Sequence, residues 1–180
     1  LIGENPKFIK LHQEKTKGAK LLPLPYGEGF TDHDEATTPD YYSFENDVSE
    51  GVAFTIEAGE TLASIIRKAG IRIDAEPPEY GQNGEKRAGR YFPRLKGLSI
   101  PETQALPNLA SAMETAAALA ARPDLLLNKD AYSPLLWCAK EADETHGYCF
   151  EQYGDTLTFN RRAHLGQKSD YWRAGVVLDL

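Results

Sequence analysis

The sequence predicts an α+β fold: one domain with a central β-turn-α unit, two further helices, and a C-terminal β-hairpin plus closing strand. Three observations carry this expectation. Val52, Phe54 and Ile56 alternate with Ala53, Thr55 and Glu57, the period of a strand with one buried face. Leu62, Ile65, Ile66 and Ala69 fall at helical spacing on one stripe. Gly154-Asp155 sits between two alternating runs as the two-residue loop of a hairpin, with Gly where a type II′ turn requires it.

Taken in order, residues 1–50 read as an extended N-terminal arm with an acidic, aromatic loop, and residues 51–180 as a single α+β domain. The arm starts with five lysines, passes through Pro23 and Pro25, and then carries Phe30, Tyr41, Tyr42 and Phe44 among carboxylates. Rings at that density are expected to pin the loop to the domain or to a protein partner. No Lys or Arg occurs between Lys20 and Arg67, while ten Asp and Glu do, so the net charge of −7 belongs to one segment. From Arg67 onward, 15 basic residues balance 15 acidic ones.

In the central unit, Thr61 is the expected N-cap and Gly70 the left-handed stop, with Glu60 and Arg67-Lys68 matching the helix dipole. Residues 74–90 hold Pro77, Pro78, Gly81 and Gly84 and read as loop; a short edge strand is expected over 91–97. Ser99 and Glu102 fit a capping box, and a helix of about four turns is expected from Pro107 to Pro123. A second helix is expected from Ser133 as N-cap and Pro134 at N1 to Gly147. The hairpin pairs 148–153 with 156–160, which sets Phe150 opposite Phe159, and 175–180 forms the last strand.

The run FTIEAGETL over residues 54–62, followed by Ile65 and Ile66 and closed by Gly70 and Ile71, resembles the opening of a LysM module. The resemblance covers residues 52–71. It implies a small βααβ unit that binds N-acetylglucosamine-containing glycans, with the turn at Gly59 and the following helix forming the site. The stretch 74–84 departs from that pattern, because its prolines and glycines stand where a second helix should be. The same opening is also similar to β-grasp ligand-binding domains of the polysaccharide-export kind.

Four groups of residues could carry chemistry. Asp32, His33, Asp34 and Glu35, with Asp40 and Glu45 near them, suit a hard divalent ion, although no EF-hand spacing is present and a solvated acidic loop is the simpler account. Cys138, His146, Cys149 and His164 are tetrahedral zinc ligand types, but only His146 and Cys149 are closely spaced. The two cysteines could equally form a disulfide, stay as buried thiols, or pair with His164 as a nucleophile. Finally, Arg90, Tyr91 and Arg94, and Arg161, Arg162 and Trp172, interleave cations with rings as a nucleic-acid surface does. Internal pairing of those cations with the acidic segment 28–50 is the competing account.

P-loop, dinucleotide, zincin and serine-hydrolase motifs do not occur, so no cofactor is expected, with zinc or another divalent metal as the alternative. No apolar run reaches the roughly 18 residues of a membrane span. A soluble chain without membrane insertion is expected, and Leu1 in place of Met suggests a processed segment without a signal peptide. The expected function is a non-catalytic binding or assembly module for a protein or a glycan, with nucleic acid as a further partner class. The alternative is a small metal-dependent hydrolase or nuclease using Asp32, Asp34, His146 or His164.

Overall fold

A computed structural model describes residues 50–95, 99–126, 135–164 and 172–180. The arm residues Tyr41, Tyr42 and Phe44, and the acidic group around Asp32 and Asp34, lie outside the described residues. Among the described residues, seven strands form one mixed sheet accompanied by three α-helices.

Strand β1 (Val52–Ile56) buries alternate residues, as its period requires. Helix α1 (Leu62–Lys68) follows, capped by a reciprocal box in which Thr61 accepts from the Ser64 N–H and Ser64 from the Thr61 N–H. It ends in a Schellman arrangement: Gly70 at φ +69° donates to Arg67, and the Ile71 N–H donates back to the Ile66 carbonyl. Glu60 pairs with Lys68 along the helix. Strand β2 (Arg72–Ile73) then joins a later strand, at Thr158 and Phe159, in parallel.

Strand β3 (Arg87–Leu95) is internal, between β1 and β7, where a short edge strand was expected. Pro93 cannot donate to a ladder, and the sheet absorbs it as a register shift between Phe92 and Leu95. The helix expected from Pro107 begins only at Ala112, and a separate short helix precedes Pro107. Helix α2 (Ile100–Gln104) carries the Ser99–Glu102 box, and α3 (Ala112–Ala121) carries a second box from Ser111 to Glu114. Between them Asn108 takes φ +59°, and the chain pairs briefly with β7: the Val177 N–H donates to the Asn108 carbonyl and the Ala110 N–H to the Gly175 carbonyl. A 3-10 turn, Pro123–Leu125, follows α3.

The second expected helix is not formed over the described residues 135–147. Leu135–Cys138 is strand β4, buried on both faces; Ala139–Glu141 is a single 3-10 turn; and β5 (His146–Tyr153) begins before Gly147. A short continuous apolar run satisfies a central strand as well as a helix, and only its neighbours decide which. Strand β6 (Thr156–Ala163) completes the hairpin with Phe150 opposite Phe159 as expected, and Gly154 has φ +66°. Strand β7 (Trp172–Asp179) closes the sheet.

The strand order is β1-β3-β7-β4-β5-β6-β2. Neighbouring strands lie about 4.8 Å apart, so a flat sheet would hold β1 and β5 about 19 Å from each other. Helix α3 touches both, together with β3, β4 and α1, and is buried on all sides from Ala112 to Leu119. The helix therefore bridges the sheet from β1 to β5. The larger core joins α1 and α3 to Val52, Phe54, Ile56, Tyr91, Leu136, Phe150, Phe159 and Val177. A smaller core on the opposite face packs Ile100 of α2 and Leu109 against Leu135, Trp137, Cys149 and Ala174.

Candidate functional site

The most developed polar site lies at the start of α3, where the parallel strands β4 and β7 part. They pair over only three positions, Leu135–Trp137 with Trp172–Ala174, after which β4 turns into the 3-10 segment and residues 108–110 take its place beside β7. Divergence of adjacent strands at their carboxyl ends leaves a crevice, the usual place for a ligand on a sheet with parallel strands. Here it is a cleft of about 420 Å³.

Its anchor is Glu114, buried and held at both oxygens. Oε2 accepts from the Ser111 N–H at 2.8 Å as part of the capping box. Oε1 accepts from Arg87 Nε at 2.9 Å and Nη2 at 2.7 Å. The remaining Arg87 nitrogen, Nη1, donates to Asp179 Oδ1 at 2.6 Å. The Glu114 hydrogen bonds, reinforced by Asp179, raise the guanidinium pKa above its ordinary value despite partial burial. Lys140, Asn108 and Gln104 complete the polar lining, and Gln104 spends its side-chain NH₂ on the carbonyls of Ala139 at 2.8 Å and Ala142 at 2.9 Å.

Glu141 sits at the same helix start. Its Oε1 accepts from the Ala112 N–H at 2.9 Å, while its Oε2 is buried without a hydrogen-bond partner. Burial, with a smaller contribution from Glu114, pushes its pKa up to about 7 against the opposing Ala112 hydrogen bond and Lys140 charge.

The zinc ligand types are not brought together. Cys138 faces the larger core and Cys149 the smaller one, on opposite sides of the sheet. This rules out a shared centre with His146 and His164 in this arrangement, and both cysteines are free thiols rather than a disulfide. No group of three or more His, Cys, Asp or Glu side chains converges on a metal-sized site among the described residues. Burial pushes both thiols well above their ordinary pKa, the opposite of what a nucleophile needs. His164 is buried, with Nε2 at 2.7 Å from the Asp143 carbonyl and its ring edge-on to Trp137 at 5.5 Å. His146 Nδ1 lies 2.8 Å from Thr145 Oγ1.

The two basic-aromatic clusters do not form one face. Tyr91 is fully buried in the larger core, whereas Arg90 lies on the opposite side of β3 and donates to the Glu50 carbonyl at 3.1 Å. Arg94 is in β3 at a position whose side chain lies outside the described residues. Arg161 pairs with Asp143 at 2.9 Å and Arg162 with the buried Glu151 at 2.7 Å, on opposite sides of β6. Trp172 packs on Trp137 with ring centroids 4.9 Å apart. Arg161 and Arg162 are thus held by carboxylates of the domain itself, while residues 28–49 of the acidic segment lie outside the described residues.

Gly59, at φ +80°, occupies an exposed turn. That turn is locked to the loop beyond β2: the Gly59 N–H donates to the Gln82 carbonyl, the Gln82 N–H to Glu60, and the Leu62 N–H to Tyr80. Tyr80 stands on the resulting ledge, 41% exposed.

Sequence reasoning did not single out Arg87, Glu114, Lys140, Glu141 or Asp179 as site residues. The Ser111–Glu114 spacing was the one local signal available for any of them. Among the described residues no helix is long and apolar enough to cross a membrane. Comparison with known protein families, curated proteins and solved structures finds no match.

Proposed function

We propose that this chain is a non-catalytic binding or assembly module whose recognition surface is the ledge carrying Tyr80 and whose ligand is a glycan. One observation carries the reading: an exposed aromatic ring stands on a loop that backbone hydrogen bonds tie to the Gly59 turn. A sugar ring can lay its C–H face on such a platform and turn its hydroxyls to the neighbouring peptide groups, with little ordering cost on the protein side. The LysM-like stretch 52–71 contains the same turn, so the resemblance and the exposed ring support one location. Among the described residues the cysteines and histidines, by contrast, are engaged in packing or local hydrogen bonds, which favours binding over catalysis.

Retention on insoluble chitin or peptidoglycan tests this reading. The wild-type chain is expected to be retained and Tyr80→Ala to wash through; a wild-type chain that is not retained removes the glycan ligand.

A protein partner is the second reading, tested first with a second copy of this chain. Ala53, Arg90 and Leu178 form one row across β1, β3 and β7, with Leu178 52% exposed at the row's end. Sedimentation velocity decides: self-association that Leu178→Asp abolishes supports it, and a monomer at every concentration removes it.

A further inference from the structure

We propose that the cleft where β4 and β7 part binds a small hydroxylated anion, a sugar carboxylate or sugar phosphate, through Arg87 and Lys140, and that Asp179 is the group the ligand displaces. The inference rests on the cleft alone and is independent of the Tyr80 ledge.

Arg87 is prepared for this role. Two of its nitrogens are fixed on one oxygen of Glu114, a carboxylate only 7% exposed and itself tied to the Ser111 N–H. The third nitrogen, Nη1, is thereby aimed without any further loss of side-chain freedom, which is what makes an arginine an effective anion anchor. Its present partner is a different kind of carboxylate. Asp179 is the last residue of β7, its side chain is 77% exposed, and a single contact of 2.6 Å holds it. Exposed pairs of this sort contribute little, so a ligand anion can replace Asp179 at small cost. Replacing the Glu114 contact would instead strand a buried charge.

The rest of the lining names the ligand more closely. Lys140 is exposed on the cleft and, among the described residues, holds no ion pair, so a second positive charge is available. With both hydrogens of its amide nitrogen engaged by carbonyls, Gln104 keeps Oε1 as an acceptor. The Asn108 side chain adds a donor and an acceptor. Two cations with amide groups beside them suit an anion that also carries hydroxyls. A volume of about 420 Å³ falls within the range of about 300–1,000 Å³ typical of small-molecule sites.

Calorimetric titration of the purified chain with D-glucuronate, with glucose 6-phosphate and with neutral glucose, all at one ionic strength, tests the proposal. Saturable binding of one or both anions and none of glucose is expected, and the anion that binds distinguishes a carboxylate from a phosphate ligand. Asp179→Asn is expected to tighten binding about two- to fivefold, the equivalent of the exposed pair it removes. Lys140→Ala is expected to weaken it. Both positions are exposed, so both variants should fold as the wild type does, and circular dichroism confirms it. No saturable binding of either anion to Asp179→Asn overturns the proposal, and so does an affinity unchanged by Lys140→Ala.

Discussion

The ring of Tyr91 fills the space that a side chain on Gly175 would take: a β-carbon at residue 175 would sit 2.2 Å from Tyr91 Cε2 and 2.4 Å from Cζ. Tyr91 is fully buried, on β3, and Gly175 is on β7. The absence of a side chain at 175 is thus what lets the largest residue of this part of the core lie between sheet and helix. Gly175→Ala is expected to destabilise by about 1–3 kcal/mol or more, since neither the ring nor the strand can yield. Urea unfolding checks it, and a midpoint equal to wild type would mean that the ring moves aside.

Glu141 gives stability a pH dependence of definite sign. Its folded pKa of about 7 lies above the ordinary value of 4.5, so between those values the folded state keeps a proton that the unfolded chain has lost. Its contribution to stability is complete below about pH 4.5, falls as pH rises to about 7 and stays constant above that, a loss on the order of 3 kcal/mol. Glu141→Gln should flatten this window and be the more stable protein at the alkaline end. Parallel pH profiles for the two proteins would show that another group is responsible.

Arg87→Ala leaves Glu114 buried without its ionic partner. Removing one member of a buried pair costs about 3–5 kcal/mol, and with Arg87 itself about one-third exposed the expected loss is about 2–3 kcal/mol. Arg87→Ala combined with Glu114→Gln should be less destabilised than Arg87→Ala alone, because the amide removes the stranded charge. Denaturant curves of the three proteins form the comparison, and additive losses would contradict the pairing.

Both thiols should resist modification. Cys138 and Cys149 are completely buried, and burial disfavours the thiolate that reacts. A disulfide dye at about pH 8 is expected to label neither in the native protein and both in denaturant. Rapid labelling of either one without denaturant would show local opening around β4 or β5.

Signals that act over a few residues were legible in the sequence. Thr61 and Gly70 bound α1, and the two-residue loop at Gly154 fixed the register that sets Phe150 against Phe159. What failed were cases where two local signals competed. Pro107 suggested a helix start and drew attention from Ser111, whose box with Glu114 begins α3. Leu135–Cys138 satisfies either a helix or a central strand, and the neighbours that decide, β5 and β7, come later in the chain. The cleft was illegible for a related reason. Arg87 meets Glu114 across 27 positions and Asp179 across 92, and spacing carries no trace of pairings that long.

The place of β7 has a consequence for how the chain is made. It lies between β3 and β4, yet it is the last of the seven strands to leave the ribosome. Until then, among the described residues, β1 with β3, and β4 with β5, β6 and β2, are two part-sheets with no ladder between them. The final strand acts as a keystone. Such late, non-local pairing makes folding slow, and the part-sheets are the species a chaperone would have to shield.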